Sequence, residues 1–482
     1  MREALWIPQS YEDIISTLRA SVAKVTLNTV LPGTNRALIV GDYDFPILFS
    51  QRGWEKTMAG SIAEKGEGLF KQFQAINITK PREEIRERLR TRYATDLSRH
   101  WLRFMTGVRP VKANDLREAS ANLRTLTGPQ SPYRDLIKAV FQGLTVRYTA
   151  TDLTSIPGDA DFKWLEDALT ALGTFSEAVD KFATATDSGR RSTDVARLIV
   201  LQTAYENAWS QIGTTFKAVE SAERRAALML TFENATFEVH RTLSAEVVAE
   251  QDAAWRERVA KPFNEFLTGR FPFDRTAKND ATLASFSRLF NPKTGLLMAA
   301  VAEVERLRPI KIAGRDLLPV NREYERLIER AREVRAALYP TDSPTVTAPF
   351  TVTLAQRSGV KNVTITVGDS SFGLYDRPDR RGSFTWNEAT ATGAKLVITT
   401  VADQQMPLDF TSSAWGLLRL LRKGNPTARP EGGLQFTWAF SGKAVGADVT
   451  FNASAVLEAG ALEKLVPPDF FGAMICPDHI GR

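Results

Sequence analysis

Apolar side chains recur every three or four residues through the first 340 residues of the 482-residue chain. Spacing of this kind places apolar groups on one face of a helix, and that face must pack against another element. Four stretches show it: Ile85, Leu89, Tyr93, Leu97, Trp101 and Phe104; Phe162, Leu165, Leu169, Leu172, Phe175, Val179 and Phe182; Leu198, Tyr205, Trp209, Ile212, Phe216 and Val219; and Tyr324, Leu327, Ala331, Val334 and Leu338. The first two thirds of the chain are therefore predicted to be helical.

The last of these predicted helices has clear ends in the sequence. Asn321 is of the residue type that caps a helix N-terminus, and Glu323 and Glu325 follow where the helix dipole favours negative charge. Pro340 cannot continue the helix, so it predicts the C-terminal end. A short linker, residues 341–345, follows.

Beyond the linker the hydrophobic period changes to two. Apolar and polar residues alternate in short runs separated by Gly, Asp and Asn, a pattern typical of strands with one buried face. The runs are 350–354, 363–367, 396–400, 434–440 and 449–451. A short helix with Trp415, Leu417, Leu418, Leu420 and Leu421 interrupts them. Several short alternating strands favour an antiparallel sandwich.

Together the two patterns predict an α+β multidomain protein, in which an N-terminal all-α helical region precedes a C-terminal antiparallel β-sandwich. We place a helical domain at residues 1–155, a helical stalk domain at 156–344 and the β-sandwich domain at 345–482. A chain of this length is expected to form about three domains. It is also long enough to fold without a metal or a disulfide.

The composition is that of an ordinary globular protein with a mild basic excess. Hydrophobic residues make up 43% of the chain, charged residues 24%, and the net charge is +6. A basic surface can bind nucleic acid or anionic lipid. The arginine-rich stretch 86–92, however, also contains Glu87 and follows Glu83 and Glu84, which is typical of a solvated helix face. We therefore expect no nucleic-acid partner.

Targeting signals and disulfides are also not expected. Cys476 is the single cysteine, which excludes an internal disulfide. There is no run of 18 apolar residues, and Pro8 with the polar residues after it leaves no apolar core for a signal peptide. We therefore expect neither a transmembrane helix nor a signal peptide in this chain. It is then either a fragment of a longer anchored protein or a cytoplasmic protein.

The chain shows no residue spacing typical of a catalytic or cofactor site. Gly442-Lys443 is followed by Ala444, where a phosphate-binding loop needs Ser or Thr. The three histidines, His100, His240 and His479, are far apart, and HExxH and CxxC spacings are absent. We expect no catalytic residue, no cofactor and no metal, and leave the partner-binding residues unassigned.

One alternative is a serine esterase or hydrolase that uses Ser370 and His479. Gly368-Asp369-Ser370-Ser371 is similar to the Gly-Asp-Ser block of a class of esterases, and Asp478 precedes the histidine. In that class the acid and the base are separated by two residues, whereas adjacent Asp478 and His479 side chains diverge. Gly-Asp-Ser is equally expected where a strand enters a turn, and we favour that interpretation.

Six segments between residues 45 and 477 resemble, in order, the TssM/IcmF family of type VI secretion proteins. They are Pro46 to Glu55; Tyr93 and Asp96 to Trp101, with Leu116 to Leu126 and Ser131-Pro132-Tyr133; Phe271-Pro272-Phe273, with Asp280 to Phe286 and Phe290 to Gly295; Phe384-Thr385-Trp386; Trp415 to Leu421; and Phe470 to Cys476-Pro477. Two positions depart from the family pattern, since Ser50-Gln51 replaces a usual Thr and Asn387 replaces a frequent Pro.

The resemblance implies a structural scaffold component of the type VI secretion trans-envelope complex, on the periplasmic side of the bacterial inner membrane. In the family, a C-terminal β-domain binds an outer-membrane lipoprotein, TssJ, and the anchored part binds an inner-membrane protein, TssL. The implied partners are therefore a TssJ-like and a TssL-like protein, with homo-oligomerisation in the assembled complex and no enzymatic activity. The predicted loops Asp376–Arg381 and Arg422–Arg429 are candidate contact sites because binding residues concentrate on exposed loops.

Overall fold

The computed structural model describes residues 2–19, 22–33, 37–145, 162–185, 192–355, 357–388, 393–444 and 447–482. They form two compact units. The first consists of Met1–Glu246 with Ile310–Leu317, and the second of Val247–Pro309 with Leu318–Arg482. The predicted domain boundary between residues 155 and 156 lies outside the described residues, and the three-domain division stays a prediction.

The first unit is mainly helical. Its helices are α1 (Arg2–Arg19), α2 (Leu27–Val30), α3 (Gln51–Gly53), α4 (Ala59–Ala75), α5 (Arg82–Thr106), α6 (Leu116–Thr127), α7 (Pro132–Gly143), α8 (Lys163–Thr184), α9 (Val195–Thr215) and the first part of α10 (Ala222–Trp255). Short strands pair as β1 (Lys24–Val25) with β3 (Phe45–Pro46), β2 (Ile39–Gly41) with β4 (Val108–Pro110), and β5 (Lys311–Ile312) with β6 (Arg315–Asp316).

The helices predicted from apolar spacing are confirmed. The first stripe lies on α5, where Ile85, Leu89 and Tyr93 are fully buried. The second and third stripes lie on α8 and α9 and are buried over most of their length. Ser131 caps α7 through its hydroxyl, and Pro132 occupies the first helical position, where a missing N–H has no consequence.

The second unit contains the rest of α10 and six shorter helices among its described residues: α11 (Lys261–Phe266), α12 (Leu283–Phe290), α13 (Leu296–Leu307), α14 (Arg322–Leu338), α15 (Gly416–Lys423) and α16 (Asp469–Gly472). The predicted ends of α14 are confirmed. The Asn321 side chain accepts a hydrogen bond from the backbone N–H of Tyr324 at 2.8 Å, and the helix ends two residues before Pro340.

Residues 347–457 form two antiparallel sheets, so the α+β prediction is confirmed. The strands are β7 (Thr347–Ala355), β8 (Val360–Val367), β9 (Ser370–Gly373), β10 (Arg381–Asn387), β11 (Ala394–Thr400), β12 (Gln405–Asp409), β13 (Thr427–Ala428), β14 (Leu434–Ala444) and β15 (Ala447–Leu457). One sheet has the order β10-β7-β15-β14-β13 and the other β12-β11-β8-β9. α15 lies in the connection between β12 and β13.

Each long strand buries one face, as the alternation predicts. On β14 the buried side chains are Leu434, Phe436, Trp438 and Phe440. The polar residues between them are at least partly exposed. The sheets thus enclose an apolar core, and their outer faces carry mostly small polar residues.

Candidate functional site

Side chains from distant parts of the second unit form one aromatic cluster between its helices and its β-sandwich. We call this cluster the joint; it consists of Phe271, Phe273, Phe286, Trp386, Trp415 and Phe471, with Asp280 and Arg419. The Trp415 ring is fully buried. Its centroid lies 5.0 Å from that of Phe286 and 5.3 Å from that of Trp386, with the rings steeply inclined to each other. Such edge contacts add to the free energy gained from burying the rings.

An ion pair lies inside the joint. The side chains of Asp280 and Arg419 are only 17% and 19% exposed, and Arg419 Nε donates to Asp280 Oδ1 at 3.1 Å. The other carboxylate oxygen accepts from the hydroxyl of Ser413 at 2.5 Å. The guanidinium also lies over the ring of Phe271, 3.9 Å from its centroid. Both charges are therefore compensated inside the joint.

The C-terminal tail of the chain returns to the helices of the second unit. The indole N–H of Trp255 donates to the carbonyl of Pro477 at 2.7 Å. The backbone N–H groups of Ile480 and Gly481 both donate to one oxygen of Asp252, at 2.7 and 3.0 Å. The tail is thus a second attachment between the sandwich and the helices.

Four of the segments that carry the family resemblance meet in and beside the joint, and one of them, Phe384-Thr385-Trp386, supplies Trp386. Phe271 to Phe286 supplies its helical side, Trp415 to Leu421 supplies α15, and Phe470 to Pro477 supplies Phe471 and the start of the tail. The segment Phe271 to Phe286 precedes the other three by about 100 to 200 residues in sequence. Their residue types are explained by packing, since the aromatic side chains fill the core and Asp280 pairs with Arg419.

Cys476 lies in this packed region. Its side chain is buried, and burial raises the pKa of the thiol to about 12, because the thiolate form loses its hydration. A thiol that stays protonated is a poor nucleophile and a poor metal ligand. Within the described ranges, no group of three or more His, Cys, Asp or Glu side chains is arranged to hold a metal ion.

His100 and His240, both in the first unit, lie in packed environments. The His100 ring is 4.2 Å from that of Phe49, and its Nδ1 lies 2.5 Å from the hydroxyl of Tyr43. His240 Nε2 is 3.0 Å from the carbonyl oxygen of Asp316. Desolvation lowers the pKa of both imidazoles, which favours their neutral form.

The structure does not bring Ser370 and His479 together as a catalytic pair. Ser370 is exposed at the start of β9, whereas His479 lies in the C-terminal tail, where its carbonyl accepts from Asn321 Nδ2 at 2.7 Å. No hydrogen bond joins the two side chains in the part of the chain that the structure describes. Gly368 has a φ of 57°, a conformation that favours glycine in turns. The Gly-Asp-Ser segment is therefore the turn between β8 and β9, and the hydrolase alternative finds no support.

β10 forms one edge of the five-stranded sheet, paired on its other side with β7. Backbone hydrogen bonds join Arg380 to Leu354 at one end, at 2.9 Å, and Glu388 to Val346 at the other, at 3.1 Å. In an antiparallel ladder every second residue bonds to the same neighbour. The even-numbered residues of β10 therefore bond to β7, and the odd-numbered residues direct their backbone N–H and C=O groups to the open edge.

A groove of about 710 Å³ lies against β7 and β10. It is lined by residues 349–351 of β7, residues 383–385 and 387 of β10, Val367, Asp369 and Ser370 at the turn between β8 and β9, and residues 457–460 with Leu462. Residues from both sheets therefore line the groove.

Of the two segments predicted as contact loops, one is an exposed loop in the structure and the other is not. Asp376–Arg381 is exposed and follows Tyr375, whose surface is 59% accessible. Arg422–Arg429, in contrast, begins inside α15 and contains β13, so its interpretation as a loop is wrong. Arg422 donates from Nε to the carbonyl of Val466 at 3.0 Å, and burial lowers the pKa of its guanidinium to about 10. This arginine packs within the unit.

No helix in the described segments is both long enough and apolar enough to cross a membrane.

Three family models match the chain in order. They are "IcmF-related", described as intracellular multiplication and human macrophage-killing, at residues 8–144; the type VI secretion protein IcmF helical domain at 247–307; and the type VI secretion protein IcmF C2-like domain at 350–453. Together they cover more than half of the chain. The search of curated proteins returned no match.

Two solved structures share the fold. One, titled "Type VI secretion system membrane core complex", has a TM-score of 0.58 and 19% identity over 99% of each chain. The other, titled "Type VI membrane complex", has a TM-score of 0.62 and 18% identity over the full length of both chains.

Proposed function

Since the chain belongs to the TssM/IcmF family of type VI secretion proteins, we propose that it is a structural scaffold component of the type VI secretion trans-envelope complex, in which its C-terminal β-domain docks an outer-membrane lipoprotein. The family membership rests on matches that run from residue 8 to residue 453. The scaffold role is further supported by two solved structures of the same fold, whose titles describe type VI membrane complexes.

The observation that carries the scaffold role is the joint. A scaffold has to hold its binding domain in a fixed position relative to the part that supports it. In the second unit the sandwich is fixed to the helices by buried aromatic contacts, by the Asp280–Arg419 ion pair and by the C-terminal tail. Close packing of this kind leaves the attachment little freedom.

The partners follow from the same proposal. The sandwich docks a TssJ-like lipoprotein, a TssL-like inner-membrane protein binds elsewhere in the full assembly, and copies of the chain associate with one another. The protein then acts on the periplasmic side of the inner membrane and catalyses no reaction. The three domains 1–155, 156–344 and 345–482 are the units in which we expect these contacts to be organised.

Calorimetric titration tests the docking role. The full chain is titrated with the lipid-free form of the outer-membrane lipoprotein from the same secretion gene cluster. We expect saturable one-to-one binding that changes little between 50 and about 200 mM salt, because the outer face of the sandwich is mostly uncharged. The matched control is a lipoprotein from an unrelated envelope system. Absence of binding to a chain shown to be folded would contradict the docking role.

A further inference from the structure

We propose that the exposed face of α8 and α9 joins two copies of the chain, with α8 of one copy lying antiparallel to α8 of the other. This inference rests on the association of copies proposed above and names the surface through which it occurs. The face belongs to the first unit, whereas the lipoprotein docks on the sandwich. Two copies related by a two-fold axis use the same patch twice, so that patch has to be complementary to itself.

The first argument is the apolar surface that α9 leaves exposed. The side chains of Ile199 and Val200 are 50% and 67% exposed. The opposite side of the same helix is buried through Leu198, Leu201 and Tyr205, so α9 is apolar on both sides at this level. A helix that is apolar on both sides is normally covered on both sides. Neighbouring exposed aliphatic side chains therefore favour contact with another protein surface.

The second argument is the groove beside these side chains. It has a volume of about 380 Å³ and lies between α8 and α9. Ala178 and Ala185 of α8 line it together with Val200 of α9, and all three are at least partly exposed. The small alanine side chains leave room for an aliphatic side chain from outside. The same face therefore carries both projecting aliphatic side chains and an apolar recess, as an interface between identical copies requires.

The third argument, which decides the occupant, is the charge on the rim of this groove. Three charged side chains line it, and Arg197 is already paired with Asp194 at 3.4 Å. Glu177 and Lys181 are exposed, and neither has an ion-pair partner in the described part of the chain. They lie four residues apart on α8, so both charges stand on the same face of the helix.

This order of charges is complementary to itself. When two copies of α8 lie antiparallel, Glu177 of each copy faces Lys181 of the other, and two ion pairs form about the two-fold axis. The same axis brings the two α9 helices together at Val200, because Val200 and both charged residues line one groove and so lie at one level along the helices. A second copy thus supplies both signs of charge and the aliphatic contact, and it is the occupant of this face.

Substitution of the apolar contact tests the inference. Val200→Asp places a carboxylate where the contact excludes water, and each dimer carries two of them. The matched control is Val401→Asp, because Val401 lies outside this face and is 70% exposed. By sedimentation velocity of the full chains over a range of concentrations, we expect a monomer–dimer equilibrium. Its Kd should rise about 100-fold for Val200→Asp and less than about twofold for the control.

Charge reversal distinguishes a second copy from any other partner. Lys181→Glu puts like charges opposite each other in the antiparallel contact and should weaken the dimer about tenfold at about 50 mM salt, and less at high salt. Adding Glu177→Lys to the same chain restores opposite charges, because both copies change together. We expect the double variant to dimerise almost as tightly as the unmodified chain. A different partner, whose charges stay fixed, gains nothing from the second substitution.

A further measurement does not depend on how the variants fold. A carbodiimide joins a carboxylate to an amine only where the two groups are in direct contact. Mixing isotope-labelled with unlabelled copies of the unmodified chain distinguishes links between copies from links within one copy. We expect a link from Glu177 of one copy to Lys181 of the other, identified by mass spectrometry of the digested dimer.

The outcomes separate this inference from the function on which it rests. If the unmodified chain dimerises and the folded Val200→Asp and Lys181→Glu variants dimerise equally well, another surface joins the copies, so the inference is wrong and association of copies stands. If Lys181→Glu weakens the dimer and the double variant does not recover, the antiparallel contact is wrong.

Two further outcomes involve the lipoprotein titration described above. If the unmodified chain stays monomeric at every concentration, both this inference and the association of copies are wrong, and the titration still decides lipoprotein docking. If Val200→Asp weakens lipoprotein binding and leaves any dimer unchanged, the face belongs to the lipoprotein and the inference is overturned.

Discussion

The joint and the open edge of β10 belong to the same β-sandwich but are opposite in character. In the joint the rings are buried, the charges of Asp280 and Arg419 neutralise each other, and the indole of Trp415 donates to the carbonyl of Ala281 at 2.7 Å. On β10 the outward side chains are small and polar, and backbone groups face solvent. In the joint the ion pair and the Trp415 indole find their partners inside the unit, whereas the edge of β10 directs backbone groups away from the sheet. The comparison teaches that aromatic side chains from segments far apart in sequence build the frame of this unit, whereas the open edge presents mainly backbone groups.

The strongest test of this contrast is Trp415→Ala. The substitution removes the central ring of the joint and leaves a cavity among side chains that are themselves buried. We expect the free energy of unfolding of the second unit to fall by about 3–5 kcal/mol, measured by urea denaturation of the full chain. The control is Tyr375→Ala, which removes an exposed ring and should change stability by less than about 0.5 kcal/mol. Similar losses for the two variants would mean that the joint is not a tightly packed core.

Proline substitution at neighbouring residues sharpens the contrast within β10 itself. Phe384→Pro deletes a donor that bonds to β7 and should lower the free energy of unfolding by about 3 kcal/mol or more. Thr385→Pro deletes a donor that faces the open edge and should lower it by less than about 1 kcal/mol. Thermal or urea unfolding of the two variants distinguishes them. If Thr385→Pro lowered the free energy of unfolding more than Phe384→Pro, the assignment of odd-numbered backbone groups to the open edge would be wrong.

The ion pair in the joint should contribute a smaller amount. Asp280→Asn leaves Arg419 without its carboxylate in a site where both side chains are mostly buried. We expect a loss of about 2 kcal/mol, less than for a fully buried pair because the site keeps some contact with water. A double-mutant cycle with Arg419→Met isolates the coupling between the two residues. A coupling energy near zero would mean that Asp280 acts only through Ser413 and the backbone.

The smallest expected effect is the alkaline sensitivity of Cys476. The folded thiol has a pKa of about 12, whereas an unfolded thiol ionises near about 8.5, so between these values the folded state keeps a proton that the unfolded state loses. Stability should therefore fall as pH rises above about 8.5, by roughly 1 kcal/mol at about pH 9.2. Cys476→Ala should remove this part of the pH dependence. Rapid reaction of the folded chain with a thiol reagent at pH 8 would contradict the burial on which the prediction rests.

Elements with a strong local signal could be predicted from the sequence. The helical stripes lie on α5, α8, α9 and α14, the Asn321 cap is present, and strands begin at Thr347, directly after the predicted linker. These features depend on side chains within a few residues of one another. For the same reason the α+β class and the interruption by α15 could be predicted.

Features that depend on distant residues could not be predicted. β7 pairs with β15, about one hundred residues later, and no local pattern selects that partner over another strand. β10 is absent from the predicted strands, although Phe384 and Trp386 alternate with Ser383 and Thr385. Arg422 has the composition of a loop residue, and only the fold shows that it packs beside Phe271, 5.2 Å from the ring centroid.

The return of the C-terminal tail to the helices has a mechanical consequence. The polypeptide enters the sandwich from α14 and, through the bonds of Asp252 and Trp255, is fastened again to the helices after leaving it. Tension applied to the sandwich is therefore divided between two tethers, and neither carries the whole load. The sandwich therefore separates from these helices only when both tethers fail together.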